Sequence, residues 1–144
     1  MTNISSLELK FQVSKLNGKS MSLEFFIDGQ SIDKYEQLDD GIFTWRSELK
    51  FPSTLELKLT GKHPHDTQVD ENGKIVADKY IKLVDIVVDR LPCAKYFVNK
   101  HLLTTDQGNK IISDYWGFNG LVKLDFTQAN SFLWSVGTQN LVSA

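Results

Sequence analysis

Residues 5–28 read SSLELKFQVSKLNGKSMSLEFFID, and their alternation decides the fold class. Leu7, Leu9, Phe11 and Val13 fall at every second position, as do Met21, Leu23, Phe25 and Ile27. A period of two puts each set on one face of an extended chain and the intervening polar residues on the other. Gly18 separates the two sets and marks a turn. Residues 5–28 are therefore predicted to form two adjacent antiparallel strands. Asp28-Gly29 follows, a strong two-residue hairpin signal, so a short strand through Ser31 and Ile32 is expected next.

The same pattern extends outward. Residues 34–41 are polar and end in Asp39-Asp40-Gly41, a loop. Phe43 and Trp45 alternate with Ile42 and Thr44, and Pro52 interrupts, as proline does at a strand start or edge. Leu55, Leu57 and Leu59 alternate with Thr54, Glu56, Lys58 and Thr60, a half-buried strand with one wet face. Gly61 to Gly73 is irregular, and Asn72-Gly73 suits a type I′ turn. Tyr80 to Asp89 is the longest β-rich run. Both faces are apolar in its second half, so Ile81–Val88 is predicted to be a central strand buried on both faces. Further strands are expected around Tyr96–Val98, Lys110–Ile112 and Leu121–Phe126, while Gln128–Val136 fits a helical turn as well as a strand. Many short strands without an ordinary amphipathic helix indicate an all-β fold. The uneven strand lengths favour a jelly-roll or β-sandwich of two antiparallel sheets over a closed barrel, in a single domain spanning 1–144.

Composition narrows the function. A hydrophobic fraction of 41% with 24% charged residues is that of a globular chain. A net charge of −2 gives no global pull toward nucleic acid or anionic membranes, and no nucleic-acid motif is present. No stretch approaches membrane-spanning length, so no membrane insertion is expected. MTNISSLELK lacks a basic head and an apolar run, which predicts a chain that is cytoplasmic at synthesis. Cys93 is the only cysteine, which excludes an intrachain disulfide and a cysteine-based zinc site. It reads as a small apolar residue beside Pro92 rather than a nucleophile. Gly-x-Ser-x-Gly, phosphate-loop and His-Glu-x-x-His motifs are missing, so no enzyme is expected. A small hydrolase is the outside alternative, because sequence alone cannot pair carboxylates across a sheet.

Three groups of residues are candidates for a site. His63-Pro64-His65-Asp66 has transition-metal donors, with His63 and His65 on one face of an extended chain and His101 as the other histidine. Asp66, Asp70, Asn72 and Asp78 surround one turn, and hard oxygen donors of that kind suit calcium. An EF-hand register fails, since with Gly73 at the glycine position it puts Gln68 at the first ligand position and Lys79 at the last. A hydrophilic hairpin tip explains the same acidic residues without an ion. Trp45, Tyr115, Trp116 and Trp134 are flat aromatics of the kind that stack on sugar rings, or that fill a core. Tyr115 and Trp116 are adjacent, so on a strand they face opposite sides.

Two stretches resemble the calcium-dependent xylan-binding family of jelly-roll carbohydrate-binding modules. Leu7 to Ile32, LELKFQVSKLNGKSMSLEFFIDGQSI, has that family's opening strand, glycine turn, second strand and Asp-Gly hairpin. Leu57 to Asp89 has its strand, acidic loop, an Asp opening a long strand at Asp78-Lys79-Tyr80-Ile81, and an exit at Val88-Asp89-Arg90. The chain departs at Lys79-Tyr80, where the family has Arg-Asn, at Arg90 in place of glycine, and in an extra turn at Asp70 to Lys74. The resemblance implies a calcium role for Asp66 and Asp78 and glycan binding. The stretch DTQVDENGKIVADKYIKL also looks like small β-sandwich proteins encoded by tailed phages of cyanobacteria.

Two functions are thus expected. The first is a non-catalytic glycan-binding module with aromatic contacts at Tyr115, Trp116 and Trp45 and a loop calcium ion at Asp66, Asp70 and Asp78. The second is a structural or adhesion component of a phage virion, whose partners are other virion proteins.

Overall fold

The structure, a computed structural model, describes residues 4–92 and 102–126. The chain runs through β1 (Ile4–Ser14), β2 (Ser22–Ile27), β3 (Gln30–Tyr35), β4 (Gly41–Lys50) and β5 (Ser53–Thr60). A 3₁₀ turn at Pro64–Asp66 leads to β6 (Thr67–Val69), β7 (Ile75–Asp78), β8 (Tyr80–Val88) and β9 (Leu91–Pro92). Then come β10 (Leu102–Thr105), β11 (Lys110–Ile112), β12 (Tyr115–Trp116) and β13 (Gly120–Phe126). One sheet has the order β12-β8-β1-β4, with β9 also on β8; the other has β11-β10-β13-β5-β2-β3. All pairings are antiparallel, and β6–β7 forms a separate hairpin. This is the predicted two-sheet sandwich. The expected strands at Lys110–Ile112 and Leu121–Phe126 are present. Cys93, Tyr96–Val98, His101, Gln128–Val136 and Trp134 lie outside the described residues.

The predicted pairing of residues 5–28 is corrected. β1 lies between β8 and β4, whereas β2 lies between β5 and β3 in the opposite sheet. A single bridge, Leu16 to Lys19, joins them around Asn17-Gly18, both left-handed at φ 54° and 77°. The reason is packing. Leu7, Leu9, Phe11 and Val13 meet Leu23 and Phe25 face to face in one core, not edge to edge. Alternation identifies the apolar face of a strand but leaves its hydrogen-bonding partner open. The hairpin at Asp28-Gly29 is as predicted: φ is 49° and 83°, and Ile27 pairs with Gln30.

β8 is an interior strand but is buried on one face only. Lys10 of β1 stands opposite Asp85 while Phe11 stands opposite Leu83, so Val84 is an extra residue in a bulge. The bulge shifts the parity. Ile81 and Leu83 point inward before it, Ile86 and Val88 after it, and Val84 is 48% exposed. A run that looked apolar on both faces is one apolar face interrupted by a phase change.

Two of the candidate sugar-stacking aromatics, Trp45 and Trp116, lie in the core. Trp45 is 2% exposed and stacks on Phe25 at 4.0 Å with 8° between the rings, which ties β4 of one sheet to β2 of the other. Its indole N–H donates to Asp33 Oδ2 at 2.8 Å. Trp116 is fully buried beside Phe11, with its indole N–H donating to the Ser113 carbonyl at 2.7 Å. Buried indoles need such partners. Tyr115 faces outward, as the alternation on β12 requires.

The bulge makes a sharp contrast at two nearby apolar positions. Ile86→Ala should cost about 2–5 kcal/mol, as large-to-small core changes do. Val84→Ser should stay within about 0.5 kcal/mol, as exposed sites do. Urea unfolding of both variants checks this, and equal costs would contradict the phase change.

Candidate functional site

The loops at one end of the sandwich meet where β5 leaves the sheet. Gly61 turns the chain at φ +90°, where a side chain would be strained. Lys62 follows, then the 3₁₀ turn, then the β6–β7 hairpin. Thr67 pairs with Asp78 at the base of that hairpin. The tip is not the expected type I′ turn, because Gly73 has positive φ and Asn72 does not. Instead Asp70 organises a three-residue loop. Its Oδ1 accepts the Asn72 and Lys74 N–H groups at 2.9 Å, and its carbonyl accepts the Gly73 N–H at 3.0 Å.

Two buried ion pairs sit at the hairpin base. Lys79 Nζ contacts Asp66 Oδ2 at 2.9 Å, and Lys62 Nζ contacts Asp78 Oδ1 at 2.5 Å. All four side chains are at most 12% exposed. Burying charge is costly unless each group is paired and hydrogen-bonded, and here each is. Lys79 Nζ also donates to the Gly61 carbonyl at 3.1 Å, and Lys62 Nζ donates to the Lys79 carbonyl. Asp66 accepts the His63 backbone N–H at 2.8 Å. Asp78 accepts the Thr67 hydroxyl at 2.7 Å and the Tyr115 hydroxyl on its other oxygen. Tyr115, 39% exposed, stacks on Tyr80 at 4.4 Å. A Cβ on Gly117 would lie 3.3 Å from the Tyr115 ring and 3.5 Å from Lys62 Nζ, so the glycine gives the lattice room.

These contacts set the carboxylates' titration. Burial alone would raise both. For Asp78 the hydrogen bonds from Lys62, Thr67 and Tyr115 outweigh it and hold the carboxyl below its ordinary value. For Asp66 the Lys79 ammonium and the His63 N–H do the same. Burial, then Asp78, pushes the Tyr115 hydroxyl far above its ordinary range, so it stays a donor.

The expected calcium set does not fit as the residues stand. Asp70 is four residues beyond Asp66 and three beyond Thr67, roughly 10 Å from Thr67 at the usual strand rise, and serves its own turn. Asp66 and Asp78 each already hold an ammonium. No three His, Cys, Asp or Glu side chains converge as a metal cluster among the described residues. His63 and His65 do not share an extended face either, because the 3₁₀ turn begins between them.

Beside the lattice lies a cleft of about 460 Å³. Its walls are the Lys62–Thr67 segment, the β10–β11 turn and the Gly117–Asn119 loop. Asn119 clamps the walls together: its Oδ1 accepts the Lys62 N–H and its Nδ2 donates to the Lys62 carbonyl, both at 2.8 Å. Phe118 stands on the rim, 55% exposed. The side chains of Asp106, Gln107 and Asn109 also line the cleft, exposed and with no hydrogen-bond partner among the described residues. An apolar platform edged with amides and a carboxylate can hold a polyhydroxylated ring, with C–H groups on the aromatic and hydroxyls on the polar edge. Sequence reasoning missed Asp106, Gln107, Asn109 and both lysines as site residues, and it did not single out Phe118 within the aromatic run Tyr115-Trp116-Gly117-Phe118, whose adjacent aromatics cannot all face the core.

Breaking either pair should be costly. Lys62→Met should destabilise the fold by about 3–5 kcal/mol, because it leaves Asp78 buried without its cation. Chemical denaturation checks this, and a loss below 1 kcal/mol would place the pair in solvent. Acid should dissolve the same stabilisation. A carboxyl lowered on folding stabilises fully above its unfolded value, near 3.8, and loses that contribution as pH falls through the lower folded value. The melting-temperature gap between wild type and Asp78→Asn should therefore be wide at about pH 7 and narrow at about pH 2. A gap independent of pH would contradict the lowered carboxyl.

No family model matches the chain, and no curated protein sequence matches it. Among solved structures it is similar to vCBM60, studied in work on circular permutation between two families of calcium-dependent carbohydrate-binding modules. The selenomethionine form superposes with a TM-score of 0.56 at 13% identity, over 84% of this chain and 90% of that one. The complex of vCBM60 with galactobiose superposes with a TM-score of 0.53 at 13% identity, over 83% and 97%. At that identity the likeness is one of fold. The resemblance to calcium-dependent carbohydrate-binding modules read from the β1–β3 and β5–β8 stretches extends to the backbone, and the two-sheet sandwich is a fold shared with vCBM60.

Proposed function

We propose that this chain is a non-catalytic glycan-binding module that takes a neutral oligosaccharide in the cleft beside Phe118. One observation carries the reading: an exposed aromatic and three polar side chains, unpaired among the described residues, line a cleft large enough for sugar rings. The fold shared with vCBM60, which was solved with galactobiose, supports it. Phe118 supplies the stacking face, and Asp106, Gln107 and Asn109 supply hydroxyl contacts. The neighbouring ion pairs balance their own charges, which leaves Asp106 as the acidic group on the cleft and disfavours an acidic sugar. Tyr115 keeps a place in the reading as an exposed aromatic beside the cleft-forming lattice, whereas Trp45 and Trp116 act from the core. A calcium requirement is the vCBM60 feature least supported here, since Asp66 and Asp78 are ammonium-bound and Asp70 serves its own turn.

Titration calorimetry against neutral and uronic oligosaccharides tests the reading. Phe118→Ala should weaken binding at least roughly tenfold, or about 1.4 kcal/mol, without changing the melting temperature. Asp106→Asn should relax the bias against acidic sugars. Reducing-end assays should show no cleavage. Sugar binding that survives Phe118→Ala intact, or steady release of reducing ends, would overturn the proposal.

A further inference from the structure

We infer that Lys62 and Lys79 do the work of a divalent cation at the base of the β6–β7 hairpin, so that this end of the sandwich is held without metal. The argument starts from the oxygens the two ammonium groups engage. Lys62 Nζ bonds the Asp78 carboxylate and the Lys79 carbonyl. Lys79 Nζ bonds the Asp66 carboxylate and the Gly61 carbonyl. The Thr67 hydroxyl sits on the same Asp78 oxygen as Lys62. Carboxylates, backbone carbonyls and a hydroxyl are the hard donors that calcium takes. Here they are bound by the chain's own ammonium groups.

The charges agree. Two carboxylates carry two negative charges, and two ammonium groups return two positive ones, as a single divalent ion would. All four side chains are nearly buried. A calcium ion added to this lattice would bring two further positive charges into a site already neutral, at a high desolvation cost. It enters only if the lysines leave. Their leaving is opposed by the bonds each makes to a backbone carbonyl as well as to its carboxylate. The inference does not depend on the glycan reading, because it concerns what holds the hairpin rather than what fills the cleft.

The experiment uses the full chain, without any sugar. Melting temperature is measured in millimolar calcium and in chelator, and terbium emission excited through tyrosine is read alongside. Tyr115, bonded to Asp78, and Tyr80, stacked on it, place sensitisers at the site. Wild type should melt at the same temperature in both conditions and give no sensitised terbium emission. Lys62→Ala/Lys79→Ala frees both carboxylates. It should melt lower in chelator, regain several degrees in calcium through mass-action linkage, and sensitise terbium. If that variant does not fold in either condition, Lys62→Gln and Lys79→Gln, each keeping one ammonium, are read the same way. Two results overturn the inference. One is a calcium-induced rise in wild type that disappears in Asp66→Ala/Asp78→Ala. The other is a folded lysine variant that gains nothing from calcium or terbium.

Discussion

A buried ammonium needs a partner, and two of them share the base of one hairpin. That constraint shapes this end of the molecule more than apolar packing does. The β6–β7 hairpin turns Val69, Ile75 and Val76 outward, so it buries little of its own apolar surface. A two-stranded hairpin with so little burial is marginal in water. What fixes it are the bonds at its root, from Lys62 to Asp78 and from Lys79 to Asp66. The same bonds reach across sequence. Asp78 holds Tyr115 of β12, and Lys62 is clamped through its backbone by Asn119 in the loop before β13. The hairpin, the β8 entry and the cleft walls are therefore one connected structure.

The sandwich beneath gives that structure a rigid mount. Its core contains face-to-face aromatic packing between the sheets, with Trp45 on Phe25, and Phe11 between Phe25, Phe43 and Trp116. Side chains locked in this way leave loops free to vary while their anchor points stay put. Trp116 shows the coupling well. Its buried indole fixes β12 against β8, and the pleat then obliges Tyr115, one residue earlier, to face outward onto Asp78. Gly117, one residue later, leaves open the space beside the Tyr115 ring and the Lys62 ammonium.

Strand identity was legible in the sequence because burial on one face writes a period of two. β1, β2, β5 and β13 all obey it, and the Asp28-Gly29 turn declared itself by its need for positive φ. Pairing was not legible, because the same alternation serves a strand whether its partner lies beside it or across the core. Nor was the bulge at Val84, since one extra residue leaves composition unchanged while reversing the faces. Half of the lattice was visible. Asp66 and Asp78 stood out as acidic residues near a turn, but their partners lie 13 and 16 residues away and look like ordinary surface lysines. Aromatic residues misled in a similar way: Trp45 and Trp116 are large and flat, and both the core and a sugar favour that shape.

A carboxylate in a sequence shows that a cation is wanted, not which one. Calcium, an ammonium group and a guanidinium all meet the need, and they differ in how the site responds to its surroundings. A metal-held loop is stabilised in proportion to the logarithm of free ion concentration, so it loosens wherever the ion is scarce. An ammonium supplied by the chain is present at fixed effective concentration and cannot be diluted or chelated. Its weakness is acid, which neutralises the carboxylates once pH falls through their lowered values. Acid would release a carboxylate-held metal as well, so what Lys62 and Lys79 remove is dependence on free ion, while the lowered Asp66 and Asp78 carboxyls keep the acid sensitivity well away from neutrality.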